Sequence, residues 1–304
     1  MFNLDNLLKI AEVACESAIK AGAEFADVSL SQSKSISTDV EANKIKSCES
    51  QISGGISVRA IYKGGTGYSN SDDMSIEGAK KAGENSALLA KLAQPDPDFV
   101  SLVSPAESYP VINGLNDEKL LSLDIKDIIK FAEDNIKEAE SAYAGTVVEC
   151  SYSAYYTWSA FVNSLGVKLS SEKSKITGFC NAIVKDGDDV GAFYDYDISR
   201  NLDGFKHIGL GEKAVAEAKR YLGARKIPTQ RMSLVLGPLA SMSVLGEVPS
   251  AANAEAVSRK RSYLIGLEGK KVASEIVTIV DDPLIDYGIN SRSADGEGTP
   301  TRCC

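Results

Sequence analysis

The sequence contains a single histidine, His207, among 304 residues. A zinc-protease helix needs two histidines and a glutamate around one metal ion, so this chain cannot form such a site by itself. Its six cysteines are scattered without a C-x-x-C pair, and the chain has no G-x-S-x-G segment. No Cys/His/Asn set can be assembled either. The familiar centres of metal-dependent and nucleophilic hydrolysis are therefore missing.

Basic residues are outnumbered by acidic ones. The chain has 33 Lys and Arg against 42 Asp and Glu, with a net charge of −9 and a pI of about 4.9. Its one basic run, 259–261, is three residues long. Binding to a phosphate backbone depends on clustered positive charge, so we expect no direct contact with nucleic acid.

Long apolar runs are absent, and the opening residues 1–6 lack the basic region of a secretory signal. We therefore expect no membrane association. Cysteines without paired spacing are typical of a reducing compartment, which predicts a cytoplasmic protein.

The first hundred residues predict helices alternating with short strands. A helix is expected from Asn3 to about Ala21, with an alanine-rich stripe that packs closely against a sheet. A second helix, about Ser75 to Leu92, would be capped by Ser71, Asp72 or Asp73. The predicted strands are Val28 to Leu30, Ile36 to Glu41, Ile45 to Glu49 and Ile56 to Tyr62. Gly64, Gly65 and Gly67 indicate a hairpin turn, because a phosphate loop would need a following Lys-Ser/Thr.

A proline-rich linker, 94–98, precedes the central region. Apolar residues at helical spacing predict a helix from Ile125 to Tyr143, and another is expected from about Asp203 to Leu222 with His207 near its start. The predicted strands between them are Val147 to Tyr156, Trp158 to Val162, Val167 to Ser171, Ile176 to Val184 and Val190 to Tyr196. The acidic turn 186–189 lacks the spacing of a calcium loop.

The stretch 228–250 predicts a strand, a tight turn and a helix. Met232 to Leu236 form a short apolar strand pattern, and Gly237 with Pro238 form the turn. Proline is favoured at the first helical position, so a helix should begin there. Further on, 276–280 predicts another strand, closed by the Asp-Asp-Pro turn 281–283.

Several segments together resemble the TldD/PmbA family, whose members are also known as modulators of DNA gyrase. They are G-A-E-F-A-D-V at 22–28, G-I-S-V-R-A-I at 55–61, N-S-x-G at 163–166 and D-x-E-G-x-P-T at 295–301. Active members of this family carry the zinc-protease helix H-E-A-x-G-H after V-L-x-P. The resemblance implies cytoplasmic proteolysis of unfolded peptides.

The zinc-helix positions of that family fall on Gly246, Glu247 and Ala251. The glutamate is retained and both histidines are replaced, so the resemblance implies a degenerate site with no catalytic residue, no bound metal and no cofactor. Pro249 should also break the helix that carries the second ligand. We expect Glu247 to be a solvated carboxylate at a helix end.

The predicted fold is α+β, with N-terminal helices packed on antiparallel or mixed sheets, followed by a truncated β-rich C-terminal domain. The expected domains are 1–98, an α/β segment; 99–225, a helix with antiparallel hairpins and a further helix; and 226–304, an incomplete β-rich segment. Family chains continue beyond D-x-E-G-x-P-T into a stretch that includes a cysteine zinc ligand. This chain stops at Cys303-Cys304. We expect sheet edges left open there to be covered by a partner.

The resemblance divides the family into zinc-bearing chains and PmbA-like chains without zinc, and this chain is similar to the second kind. The predicted function is a non-catalytic subunit of a peptide-cleaving metallopeptidase complex, either as a heterodimer with a zinc-bearing TldD-like relative or as a homodimer. One alternative is an interaction protein of the gyrase-modulator type without a protease partner. The other is a metal-free hydrolase with an unrecognised nucleophile.

Overall fold

The computed structural model describes residues 3–303. Met1, Phe2 and Cys304, which entered the sequence analysis, lie outside this range. The chain divides into two compact units: one contains the chain up to Gly223 together with the chain from Asp281 onward, and the other is Ala224–Val280. Among the described residues, no helix combines the length and the apolar character needed to cross a membrane.

The first unit is built on one six-stranded antiparallel sheet in the order β3-β2-β1-β4-β5-β6. Its strands are β1 (Phe25–Glu41), β2 (Lys44–Tyr62), β3 (Gly65–Ser71), β4 (Val147–Asn163), β5 (Lys168–Asp186) and β6 (Asp189–Ser199). Its helices are α1 (Leu4–Lys20), α2 (Ile76–Leu92), α3 (Glu118–Ser122), α4 (Ile125–Ala142) and α5 (Leu210–Lys219). The α+β fold predicted from the sequence is confirmed.

The strands are much longer than the sequence patterns predicted. The four short strands expected between residues 28 and 62 are two, β1 and β2, and the five expected between 147 and 196 are three. Polar residues that were read as breaks continue the ladder: Ser33 is paired with Ser53 on one side and with Thr157 on the other. A strand with hydrogen-bonding neighbours on both sides continues through polar positions, because its backbone groups remain satisfied.

In the four central strands, β2, β1, β4 and β5, the even-numbered positions face the helices and form the core. One core cluster packs Val28, Val58 and Trp158 under α1 and α2, and a second packs Ile36 and Ile176 under α4 and α5. Successive residues of a strand point to opposite faces, so the odd-numbered positions form the other side of the sheet.

We call that other side the hydroxyl face. Its members come from the four central strands, and most bear a hydroxyl: Ser53 and Ser57 in β2; Ser29, Ser31, Ser33, Ser35 and Ser37 in β1; Ser151, Ser153, Tyr155, Thr157 and Ser159 in β4; Ser171 and Thr177 in β5. Hydroxyls bond across the strands, since the side-chain oxygens of Ser33 and Thr157 lie 2.8 Å apart. Ser159 and Ser171 make the same contact at 2.8 Å.

Helix ends differ in places from the predictions. Ser75 caps α2 by accepting a 3.0 Å hydrogen bond from the amide of Gly78, so the cap is not at 71–73. The helix predicted from Asp203 begins at Leu210, after Gly209 at φ +96°. His207 therefore precedes the helix, and its carbonyl accepts a hydrogen bond from the Asn135 side chain. Side chains stabilise the turns that precede this helix. For example, the Asp117 carboxylate accepts a hydrogen bond from the backbone amide of Leu202.

The second unit contains three short helices: α6 (Pro238–Leu245), α7 (Glu247–Ala252) and α8 (Ala254–Ser258). The helix predicted to start at Pro238 is confirmed. The strands predicted at 232–236 and 276–280 do not form, and neither does the β-rich character expected for 226–304. A strand needs a neighbour to complete its hydrogen bonds, and these segments find none among the described residues.

Candidate functional site

The three zinc-motif positions lie at a break between two short helices. Gly246 ends α6, with its amide donating a 2.9 Å hydrogen bond to the carbonyl of Met242, and Glu247 begins α7 with an exposed side chain. Ala251 is buried, and its carbonyl accepts a 2.6 Å hydrogen bond from the Ser262 hydroxyl. The position of the second family histidine is therefore occupied by a small, packed side chain.

The break falls at Gly246 and not at Pro249 as predicted. Pro249 is the third residue of α7. In the first turn of a helix the backbone N–H has no intrahelical partner, so a proline there removes no hydrogen bond.

Within residues 3–303, no three His, Cys, Asp or Glu side chains come together closely enough to hold a metal ion. Glu247 is the one potential ligand among the three motif positions. His207 belongs to the first unit, where its ring lies 4.7 Å from that of Phe131. The site residues taken from the resemblance thus form no metal-binding group, and the absence of bound zinc stays a prediction.

The family's N-S-x-G segment, 163–166, has a structural role. The Asn163 side-chain oxygen accepts hydrogen bonds from the amides of Leu165 and Val167, each at 3.0 Å. Ser164 accepts at 3.1 Å from the amide of Ala26, and Gly166 adopts φ +101°. The segment closes the β4-β5 hairpin and ties it to β1.

The D-x-E-G-x-P-T segment, 295–301, sits against the hydroxyl face. Asp295 folds its own turn by accepting from the amides of Glu297 at 2.9 Å and Thr299 at 2.8 Å. Glu297 forms a 3.0 Å ion pair with Arg59 on β2. A side chain at Gly298 would meet Phe161 on β4, so the glycine permits this close approach.

Arg59 also binds Asp27 on β1, with its Nε atom 2.8 Å from a carboxylate oxygen. Burial raises the pKa of the Asp27 carboxyl, and the Arg59 hydrogen bond only partly opposes that shift. The pair therefore anchors the sequence signature to two neighbouring strands, at the cost of desolvating a carboxylate.

A cleft of about 820 Å³ opens between the hydroxyl face and this segment. Sequence reasoning missed it. Its floor is formed by side chains of the four central strands, including Ser29, Ser57, Ser159 and Ser171, and one wall is formed by Arg292–Gly296. The visible signal was the alternation S-L-S-Q-S-K-S-I-S at 29–37, which places a hydroxyl at every second strand position.

Positive charge gathers at the β5 end of the cleft. Lys173 and Arg292 line it, and the Lys173 ammonium donates a 3.3 Å hydrogen bond to the carbonyl of Ser291. Burial lowers the pKa of Lys173, and the charges of Arg200 and Arg292 lower it further. Arg200 is buried and donates to the carbonyls of Ser174, Gly288 and Ile289. Asp281 and Asp282 line an adjacent cavity with Lys173 and Arg292, but neither cation forms an ion pair in the described part of the chain. The arrangement can therefore attract an anion.

Family comparisons cover most of the chain. The PmbA/TldA metallopeptidase domain 1 matches residues 26–90, the central domain matches 118–222, and the C-terminal domain matches 229–304. A metalloprotease of Methanocaldococcus jannaschii is 24% identical over 98% of this chain and 65% of its own length. A metalloprotease PmbA homologue of Buchnera aphidicola is 25% identical over 90% of this chain and 62% of its own length.

Solved structures share the fold. TldE from Thermococcus kodakarensis superposes with a TM-score of 0.85 at 22% identity, covering 97% of this chain and 66% of that one. A Bacteroides thetaiotaomicron protein named as a proposed modulator of DNA gyrase gives a TM-score of 0.89 at 23% identity, covering 97% and 68%. The chain spans a little under two thirds of the length of the curated relatives above. By these matches the chain belongs to the TldD/PmbA family and is related to its metallopeptidases.

Proposed function

We propose that the chain is a non-catalytic subunit of a TldD/PmbA-type metallopeptidase, pairing with a zinc-bearing relative that cleaves unfolded peptides. One observation carries the proposal: the zinc-motif positions offer a single carboxylate, Glu247, exposed at a helix break, with Gly246 and Ala251 in place of ligands. A catalytic zinc site requires three protein ligands around the ion.

Exposed apolar side chains in the second unit support a protein partner. Val235 is fully exposed, Ile276 is 92% exposed and Leu234 is 71% exposed. Soluble proteins rarely leave such a series in water unless another polypeptide covers it. In the proposal, the partner subunit covers the stretch 232–236.

The compartment is part of the proposal. Cys15, Cys48, Cys150, Cys180 and Cys303 are free thiols. Free thiols suit the reducing cytoplasm, where the unfolded peptides would be met. Fractionation of the native host should recover the chain with cytoplasmic marker enzymes.

The test is co-expression with a zinc-bearing relative from the same genome, followed by a peptidase assay on an unfolded peptide. Cleavage should require both chains and the histidines of the relative. Glu247→Gln in this chain should leave the rate unchanged, because that carboxylate contacts no metal in the proposed assembly. Loss of cleavage in Glu247→Gln, with the relative's site intact, would make Glu247 catalytic and overturn the proposal.

Two controls complete the experiment. Elemental analysis of the chain purified alone should find less than one zinc per chain after exposure to a chelator. A Leu234→Asp, Val235→Asp variant should lose co-purification with the relative, whereas Lys226→Asp, an exposed charged position in the same unit, should retain it. Cleavage by this chain alone would favour a hydrolase and contradict the assignment.

A further inference from the structure

The cleft on the hydroxyl face has an uneven distribution of charge. At its β5 end, Lys173 and Arg292 are both positive. At its β3 end, Asp72 lines the opposite side. The chain as a whole carries a charge of −9, so two adjacent cations in a cleft are not a general property of its surface.

Neither cation is neutralised by a carboxylate. Lys173 makes its hydrogen bond to a carbonyl, that of Ser291, and its neighbouring charges are the cations Arg200 and Arg292. In the part of the chain that the structure describes, the Arg292 guanidinium has no hydrogen bond or ion pair. Five N–H groups in a planar fork suit a carboxylate or phosphate held by two oxygens.

Three other acidic groups lie nearby. Asp281 and Asp282 line an adjacent cavity together with Lys173 and Arg292, and no ion pair joins either carboxylate to these cations in the described residues. Asp295 lines the cleft, yet its carboxylate accepts two backbone amides of its own turn, those of Glu297 and Thr299. Arg200 is committed as well, since three carbonyls hold it. Its bonds to Gly288 and Ile289 hold the segment that carries Arg292, so Arg200 acts as a positioning residue.

The floor between the charged ends is built for an extended chain. From Gly55 on β2 to Lys173 on β5 the cleft crosses three strand spacings, roughly 14 Å, which is the length of about four extended residues. The floor side chains are small or hydroxylated, including Ser31, Ser159 and Ser171. Hydroxyls both donate and accept hydrogen bonds, so they can contact peptide groups of any sequence.

From this geometry we infer that the cleft binds a short extended peptide, with the C-terminal carboxylate of the peptide held between Lys173 and Arg292. The choice of a peptide as the ligand rests on the proposed function, whereas the expectation that one end of the ligand is anionic rests on the two cations of the cleft. In this arrangement the chain contributes recognition of a free carboxyl end, and the zinc-bearing relative contributes the cleavage.

The experiment measures binding to this chain alone, so it does not depend on a partner or on activity. The probe is a hexapeptide of alanine and serine with fluorescein at its N-terminus, followed by fluorescence polarisation. The same peptide with an amidated C-terminus is the matched ligand. We expect amidation to weaken binding at least tenfold, because the negative charge that Lys173 and Arg292 both contact is lost. Equal affinity for the two peptides would overturn the inference.

Substitutions of the two cations test whether the peptide binds in this cleft. Lys173→Met and Arg292→Met should each weaken binding of the free-acid peptide at least fivefold and should have little effect on the amidated one. Lys175→Met is the control, because Lys175 lies two residues along the same strand, over the Tyr155 ring and outside the cleft lining. Arg292 is exposed and unbonded, so its variant should fold even if Lys173→Met does not.

Inorganic phosphate tests the other source of negative charge. We expect phosphate to compete only weakly, at concentrations well above the dissociation constant of the peptide. Phosphate that displaces the peptide at lower concentrations would make this a phosphate site and overturn the peptide assignment. If the peptide binds as expected but co-expression gives no cleavage, the proposed subunit role fails and the cleft assignment stands.

Discussion

At the scale of single residues, two tyrosines of β4 make opposite use of their hydroxyls. Tyr152 is fully buried and its hydroxyl has no hydrogen-bond partner, whereas the hydroxyl of Tyr156 donates to Glu172 at 2.7 Å and accepts from Asn116 at 3.0 Å. A buried polar group without a partner is unfavourable by about 1–3 kcal/mol. Tyr152→Phe should therefore keep or raise the free energy of unfolding, measured by urea denaturation.

The matched variant is Tyr156→Phe, which faces the same side of the same strand and loses two satisfied hydrogen bonds. It should lower the free energy of unfolding by about 1–2 kcal/mol. A larger loss in Tyr152→Phe than in Tyr156→Phe would mean that a water molecule satisfies the Tyr152 hydroxyl.

The cysteine thiols should differ sharply in reactivity, because some are buried and others are exposed. Burial raises the pKa of Cys15 to about 12, and the charges of Asp27 and Glu16 add to the shift. A thiol with that pKa is ionised in about one molecule in 10,000 at pH 8. Cys48 is exposed. Iodoacetamide at pH 8 should modify Cys48 within minutes and Cys15 only after unfolding, as read by peptide mass spectrometry.

Two further thiols, Cys150 and Cys180, should behave like Cys15. They face each other across β4 and β5 with sulfurs 2.6 Å apart, and both are buried. Comparable labelling rates for Cys48 and any of these three in the folded protein would contradict the packing described here.

At the scale of elements, α1 and α2 approach closely because small residues line their contact. Ala14 and Ala18 of α1 are fully buried, and a Cβ at Gly83 of α2 would overlap the carbonyl oxygen of Ala14. Alanine at a helix interior normally gains about 1 kcal/mol over glycine. Here Gly83→Ala should instead lower the free energy of unfolding by about 2 kcal/mol, because the helices must separate.

The control is Asn85→Ala, at an exposed position of the same helix. It should leave the thermal midpoint unchanged or raise it slightly, since it changes helix propensity without affecting the contact. A higher midpoint in Gly83→Ala would show that the two helices tolerate a wider spacing at no cost.

At the scale of the whole molecule, Arg200 connects distant parts of the chain. It is 7% exposed and donates to carbonyls of Ser174 on β5 and of 288–289. Arg200→Met leaves the buried carbonyl of Ser174 and the partly buried carbonyls of Gly288 and Ile289 without this donor, and should lower the free energy of unfolding by about 2–3 kcal/mol. Hydrogen exchange of 288–301 should rise the most.

Arg220→Met is the control, because Arg220 is exposed and pairs with Glu217 in the last turn of the helix that it follows, α5. Its exchange profile should match that of the parent protein. Unchanged exchange of 288–301 in Arg200→Met would mean that other contacts, such as the Arg59–Glu297 ion pair, are sufficient to hold the segment.

The net charge also predicts a property of the whole molecule. A chain with a net charge of −9 gains little binding free energy from release of the counterions that surround DNA. Gel shifts at physiological salt should therefore show no submicromolar affinity. Tight binding with a steep dependence on salt would reveal a basic surface larger than the cationic end of the cleft, where half-buried Lys173 and exposed Arg292 supply the charge.

Many structural features of this protein depend on neighbouring residues in the sequence and could therefore be predicted from it. Amphipathic spacing placed α1, α2 and α4, glycine and proline chemistry placed the start of α6, and alternation located parts of β1, β2, β4, β5 and β6. The strand β3 was not predicted, because Gly65 and Gly67 were interpreted as part of a turn. The sequence also showed that Gly246 and Ala251 stand where the family has its histidine ligands, because the identity of a residue is known without a structure. Each of these features depends on neighbours within a few residues.

Only the tertiary structure decided how long the strands are and where the cleft lies. Ser33 stays in a strand because β2 and β4, paired with it at Ser53 and Thr157, flank β1 on both sides and satisfy the backbone groups of the segment around it. Lys173 and Arg292 are 119 positions apart, and they meet because Arg200 holds the chain near residue 288 against β5. Contacts of this range depend on strand order and on buried hydrogen bonds, which no local pattern of residues specifies.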